Sequence, residues 1–201
     1  MTPWQHKEHL LEEEEEAKKM AEEWHPQLSR GHGGTLRKAL SSMDSFKLAQ
    51  GDIPFIIKLV ENPKYDVGLF AGYVDLFTHD CVHILLGRGL LLKDEAFVIG
   101  YTMGSSQKMK RWRRNLFMFC AKYLYPKQYK FREEERFVFN MGVQAGSGCG
   151  KDLSTFKFKK HLDKHPNEIR GLMGINLQFL ESCYRLEKSF FPDSVESQRL
   201  L

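Results

Sequence analysis

DVGLFAGYVDLFTHDCVHILLGRGLLLKDEAFVIGYTMGS, residues 66–105, decides how the chain is read. Asp66 is a good helix N-cap and Gly87 a good residue just past a helix end, so a helix is expected between them. Gly87-Arg88-Gly89 then turns the chain, and a second helix is expected over about residues 92–105. Two helices joined by so short a turn return antiparallel to one another. The first of them places His79-Asp80-Cys81-Val82-His83 in the most apolar part of the sequence. Ionisable side chains are seldom buried without partners, because desolvating a charge is expensive, so something must offset that cost.

Outward from this hairpin the pattern stays helical. Residues 6–24 are strong helix formers whose acidic run Glu12–Glu16 reads as a solvated face, and residues 25–34 (HPQLSRGHGG) read as a linker. Helical pattern resumes near Thr35 and stops at Asn62-Pro63, with Pro54 starting or kinking a helix. Residues 107–124 carry the helical stripe Met109, Trp112, Leu116, Phe119, Cys120 and Tyr123, and Pro126 ends it. RFVFNMGVQ (136–144) is ambiguous between helix and strand; Pro166 reads as the first residue of a helix, and a last helix ends at Pro192. Hairpin turn pairs and alternating strand signals are nearly absent. The expected fold class is all-α, a single-domain helical bundle with an internal apolar pocket. The expected organisation is an acidic N-terminal helix and linker (1–34), a helical metal- and lipid-binding domain (35–192) and a tail (193–201) that frays.

Composition narrows the function classes. With 42% hydrophobic and 28% charged residues the 201-residue chain can bury a sizeable core, and its net charge of +4 does not by itself argue for nucleic acid. The distribution is uneven: residues 1–34 hold eight acidic and four basic side chains, residues 107–136 ten basic and three acidic. The four cysteines form no Cys-x-x-Cys pair, which excludes a zinc finger and suits a reducing compartment. No signal peptide or charge-free spanning run is evident. A cytoplasmic protein is the expectation.

On a helix, His79 and His83 lie about 40° apart and Asp80 about 60° beyond His83. All three therefore share one face, and imidazoles at i and i+4 are a geometry that holds divalent ions. If the turn centres on Gly89, the antiparallel return brings Glu95 beside His83. His79, Asp80, His83 and Glu95 can thus converge as metal ligands; two imidazoles favour zinc, whereas two carboxylates also admit magnesium or manganese. The other reading is a hydrogen-bonded polar cluster, with Glu95 favouring a helix N-terminus. His6/His9 and His161/His165 repeat the spacing in polar surroundings and are weaker candidates.

HDCVHILLGRGLLLKDE (79–95) resembles the signature of the fourth protein family of coenzyme Q (ubiquinone) biosynthesis: His-Asp-x-x-His, eleven residues, then Glu, with Leu85-Leu86-Gly87 after the second histidine. Residues 140–175 resemble that family's C-terminal block, ending in Arg170-x-x-x-Gly174-Ile175, so the likeness spans about residues 65–176. The residues before His79, Asp75-Leu76-Phe77-Thr78, depart from the basic ones usual there. The resemblance implies a helical, dimeric protein with a divalent metal on that motif. It further implies peripheral membrane association and handling of prenylated quinone precursors, either in a decarboxylase-type step at ring C1 or as a non-catalytic carrier or scaffold for the other quinone-biosynthesis enzymes.

AGSGCGKD (145–152) nearly spells a phosphate-binding loop, but Asp152 stands where a hydroxyl would hold magnesium and would repel phosphates. Helix 107–124 admits a solvated face, a membrane-surface face built on Lys108, Lys110, Arg111, Trp112, Arg113 and Arg114, or a nucleic-acid face that no recognised motif supports. The combined expectation is a metal-binding protein of prenyl-lipid metabolism with a prenyl lipid and an anionic membrane surface as partners, and no nucleic acid.

Overall fold

The computed structural model describes residues 23–28, 34–48, 74–106, 110–123 and 130–201. Every regular element in them is helical: α1 (Leu36–Leu48), α2 (Leu76–Leu86), α3 (Leu92–Ser105), α4 (Arg111–Tyr123), α5 (Glu133–Ser147), α6 (Pro166–Met173), α7 (Leu177–Phe190) and α8 (Val195–Gln198), with 3₁₀ turns at Leu153–Thr155 and Phe158–His161 before α6. The ambiguous 136–144 stretch is thereby helix, inside α5.

α2 is shorter than a helix running on from Asp66. Asp75 is extended (φ −65°, ψ 160°) and its carboxylate accepts the Thr78 amide at 2.7 Å, which starts a new helix at Leu76. At the far end Gly87 takes the left-handed conformation (φ 67°, ψ 32°) that a side chain disfavours. It also leaves room for the backbone of Leu28, which passes directly against it. α3 occupies the expected span.

The densest packing joins α3 to α5. Gly100 and Gly104 lie four apart on α3, Gly142 and Gly146 four apart on α5. A Cβ on Gly100 would fall on the Phe139 carbonyl and one on Gly104 on that of Val143. Reciprocally, Gly142 faces the Phe97 carbonyl and Gly146 that of Tyr101. The two backbones are therefore in contact. Around this seam Phe97, Tyr101, Val138, Phe139 and Tyr184 are fully buried, and Phe117 of α4 stacks on Phe139 at 5.3 Å.

Two expectations are corrected. Residues 25–28 are not a free linker: Trp24 and Leu28 belong to the core, and the Leu28 carbonyl accepts a bond from Arg170 at 3.1 Å. Nor does the segment after Pro192 fray. Ser194 caps α8, Ser197 and Leu200 are buried, and Arg199 pairs with the fully buried Asp94. Polar side chains fix it together with the single core residue Leu200, too little for hydrophobic patterning to reveal. The acidic stretch before residue 23 lies outside the described residues.

The seam gives a stability test. Gly100→Ala places a methyl on backbone that cannot rotate away, and should cost about 2–3 kcal/mol in urea unfolding. Gly171→Ala, at an exposed position of α6 with open space around it, should leave stability unchanged or slightly raised.

Candidate metal centre

α2 carries His79 and His83 one turn apart, and α3 brings Glu95 to them from its first turn. The register follows from the turn. The Arg88 amide bonds back to the His83 carbonyl at 3.0 Å, and Asp94 starts α3 by accepting the Leu91 amide at 3.2 Å. His79 Nε2 lies 2.9 Å from one Glu95 carboxylate oxygen and His83 Nε2 lies 3.2 Å from the other. The two Nε2 atoms are 3.0 Å apart. All three side chains are buried, and their ligand atoms lie within 4.8 Å of one another.

With Glu95 ionised, protons do not satisfy this triangle. Each Nε2 carries at most one hydrogen. If both histidines donate to Glu95, the two N–H groups face each other across the short N···N contact. If one donates to the other, the acceptor ring turns a lone pair on the carboxylate. A cation among the three attracts every one of these atoms at once. Separations near 3 Å are also those of neighbouring ligand atoms bonded to one ion at about 2.0–2.2 Å. The donor set therefore fits a metal, and these residues can hold one.

Burial alone would raise the Glu95 pKa, but the positive charge that His83 and His79 can carry outweighs it and holds the carboxylate well below its usual range. Glu95 is thus held ionised while those imidazoles carry charge. Asp80, the fourth expected ligand, is buried on the same helix but is not part of the converging group.

The end of α2 beside this centre is held by donors that the sequence reading did not single out as such. Arg170, fully buried, donates through Nε to the Leu85 carbonyl at 2.7 Å and through Nη2 to that of Ile84 at 3.3 Å. Tyr184 donates its hydroxyl to the Leu86 carbonyl at 2.6 Å. Burial lowers the Arg170 pKa to about 10, so it remains cationic at neutral pH. Arg88, read only as a turn residue, is sealed between the rings of Phe97 (4.0 Å) and Tyr184 (4.3 Å) and forks onto Glu187 at 3.0 and 2.6 Å. An arginine between two glycines was the one available signal.

The remaining candidates fall into place. On α4 the core side is Phe117 and Ala121, while Trp112, Phe119 and Tyr123 of the apolar stripe are each at least half exposed. Lys110 and Arg111 are exposed beside them, and Arg113 lies over the Trp112 ring at 5.4 Å; Lys108 lies outside the described residues. Asp152 caps a 3₁₀ turn by accepting the Ser154 amide at 2.9 Å, so the Gly-rich stretch is a helix exit. His165 caps α6 and His161 stacks on Phe156, which gives each a local structural role. His6 and His9 lie outside the described residues. A groove of about 400 Å³ lies between Leu91, Lys93, Glu134, Phe191 and Glu196; its charged lining differs from the enclosed apolar pocket expected for a prenyl tail. Among the described residues no helix is long and apolar enough to cross a membrane.

Metal analysis of the purified protein tests the centre. His83→Ala and Glu95→Gln should each abolish bound metal, and Asp80→Asn separates the two ligand sets: metal is retained with three ligands and lost with four. Imidazoles must be neutral to coordinate, so affinity should fall as the solution is acidified. No protein-family model matches the chain, and comparisons with curated proteins and with solved structures return no match.

Proposed function

We propose that this chain is a metal-binding protein of quinone or prenyl-lipid metabolism, in which a divalent ion on His79, His83 and Glu95 anchors the polar head of a prenylated ligand. The observation that carries the reading is the buried triangle of two imidazoles and a carboxylate, whose contacts protons alone do not satisfy while Glu95 is ionised. The likeness of residues 79–95 to the ubiquinone-biosynthesis motif supplies the ligand class and the step at ring C1. Two imidazole donors make zinc the first choice, with magnesium or manganese the alternatives. A bound ion would be the dominant local charge and would act as a Lewis acid toward an anionic head group.

Membrane association is the second part of the proposal. The side of α4 turned away from the core carries Trp112, Phe119 and Tyr123, with Lys110, Arg111, Arg114 and Lys122 around them. Exposed aromatic rings flanked by cations suit the interface of an anionic bilayer. A protein docked there can take its ligand from the lipid phase.

Two measurements test these parts. A tail gains about 0.8 kcal/mol per buried CH₂ whatever its head, so tail burial does not choose among heads. A prenyl phosphate or carboxylated prenyl-phenol should bind more tightly than the matching neutral prenyl alcohol, and chelation should erase that preference while leaving alcohol binding intact. Equal selectivity before and after chelation would remove the metal from lipid recognition. Vesicle flotation should show anionic vesicles preferred over neutral ones, with salt weakening the preference. Replacing Arg111, Arg113 and Arg114 by Gln should abolish it; equal binding to both vesicle types would leave α4 a solvated helix.

A further inference from the structure

Four charged side chains lie next to the metal centre without being ligands of it: Arg88, Asp94 and Glu187, which are fully buried, and Arg199, whose side chain is mostly covered. They alternate in sign. Arg88 forks onto Glu187, which also accepts the Ser197 hydroxyl at 3.0 Å. Arg199 pairs with Asp94, and Asp94 and Arg88 face each other at 3.8 Å, too far for a direct hydrogen bond. Each of these two therefore depends on a more distant residue for its strong partner: Arg88 on α7, Asp94 on the segment after α8.

Both arms of the metal centre hang on this set. The Arg88 amide holds the His83 carbonyl, and the Asp94 carboxylate holds the Leu91 amide that opens α3, one residue before Glu95. Gly89, at the middle of the turn, has no side chain because the Arg199 guanidinium occupies the space where one would stand. The turn, the helix start and Arg199 thus fit around one another.

We propose that Arg199 is a positioning residue for the metal centre: by pairing with Asp94 it fixes the first turn of α3, and with it the carboxylate of Glu95 opposite His79 and His83. The proposal rests on the metal reading given above. Without Arg199, Asp94 is a buried anion with only the distant Arg88 to turn to. Rotating toward Arg88 releases the Leu91 amide, and drawing in water opens the turn. Either response loosens the ligand that closes the site. Groups that orient metal ligands from outside the coordination sphere change affinity by about 10–100-fold when removed, and an indirect one belongs at the low end.

The test is metal affinity of the whole chain, by zinc competition with a chromogenic chelator, read alongside thermal unfolding. Arg199→Ala should weaken zinc binding about tenfold, at the low end of that range, and Arg199→Lys should recover part of it. Ser197→Ala is the control: it removes a bond to Glu187 and lowers the melting temperature, but leaves the Arg199–Asp94 pair and so wild-type zinc affinity. Wild-type affinity in a folded Arg199→Ala protein, or an equal loss in Ser197→Ala, would overturn the proposal by making the segment a mere stabiliser. If Arg199→Ala does not fold, Asp94→Asn breaks the same pair with an isostere; a tenfold loss supports the proposal and unchanged affinity overturns it. Glu95→Gln keeps the two failures apart: if it binds zinc as the wild type does, the metal reading itself falls.

Discussion

A helix that ends inside a protein leaves its last carbonyls without partners, and every one of them must find a donor or cost free energy. α2 ends this way. Its closing carbonyls, from Ile84, Leu85 and Leu86, are met by Arg170 from α6 and Tyr184 from α7, and Arg170 also takes the carbonyl of Leu28. One buried end thus gathers the segment before α1, the short helix α6 and the long helix α7. The cation suits the place electrostatically, since it sits at the negative end of the α2 dipole. The histidines lie on the same helix, so whatever anchors that end also sets where the imidazoles point.

The two halves of the molecule use different physics to reach rigidity. Along α3 and α5 it is the absence of side chains, four glycines letting backbone touch backbone. Around the turn it is charge, with two arginines and two carboxylates arranged so that each sign is next to the other. Such pairs gain little net stability over a well-packed apolar core, because desolvating the ions consumes most of the attraction. Glu95 belongs to both regimes: it sits at the start of α3, whose body is fixed by the glycine seam and whose first turn is fixed by Asp94.

Local signals made the hairpin legible. Gly87, the GRG turn and the 3.6-residue period are properties of neighbours in sequence, and so is the six-residue symmetry that places Glu95 beside His83. The helix start at Pro166 was readable for the same reason. What failed was long-range. VESQRLL shows no helical apolar stripe, and its place is set by partners at residues 94 and 187 and by Leu200 joining the core, none of which a local window contains. The sequence offered Asp66 as the N-cap, whereas α2 starts from Asp75. On α4 the period was right but did not say which side the core would take: Phe117 and Ala121 face inward, and the larger aromatic stripe faces out. Asp80 shared a face with the histidines by angle, yet among the described residues it is Glu95 that completes the converging group.

The sandwiching of Arg88 between Phe97 and Tyr184 has a thermal consequence. The penalty for keeping ions out of water shrinks on heating, because charge hydration carries a strongly unfavourable entropy, whereas the gain from apolar burial levels off. A charge network sealed by aromatic rings should therefore hold its own as temperature climbs. α4, which buries only Phe117 and Ala121, has no such reserve. Warming would then part the molecule unevenly, shedding its aromatic outer face while the turn beneath the histidines stays knitted.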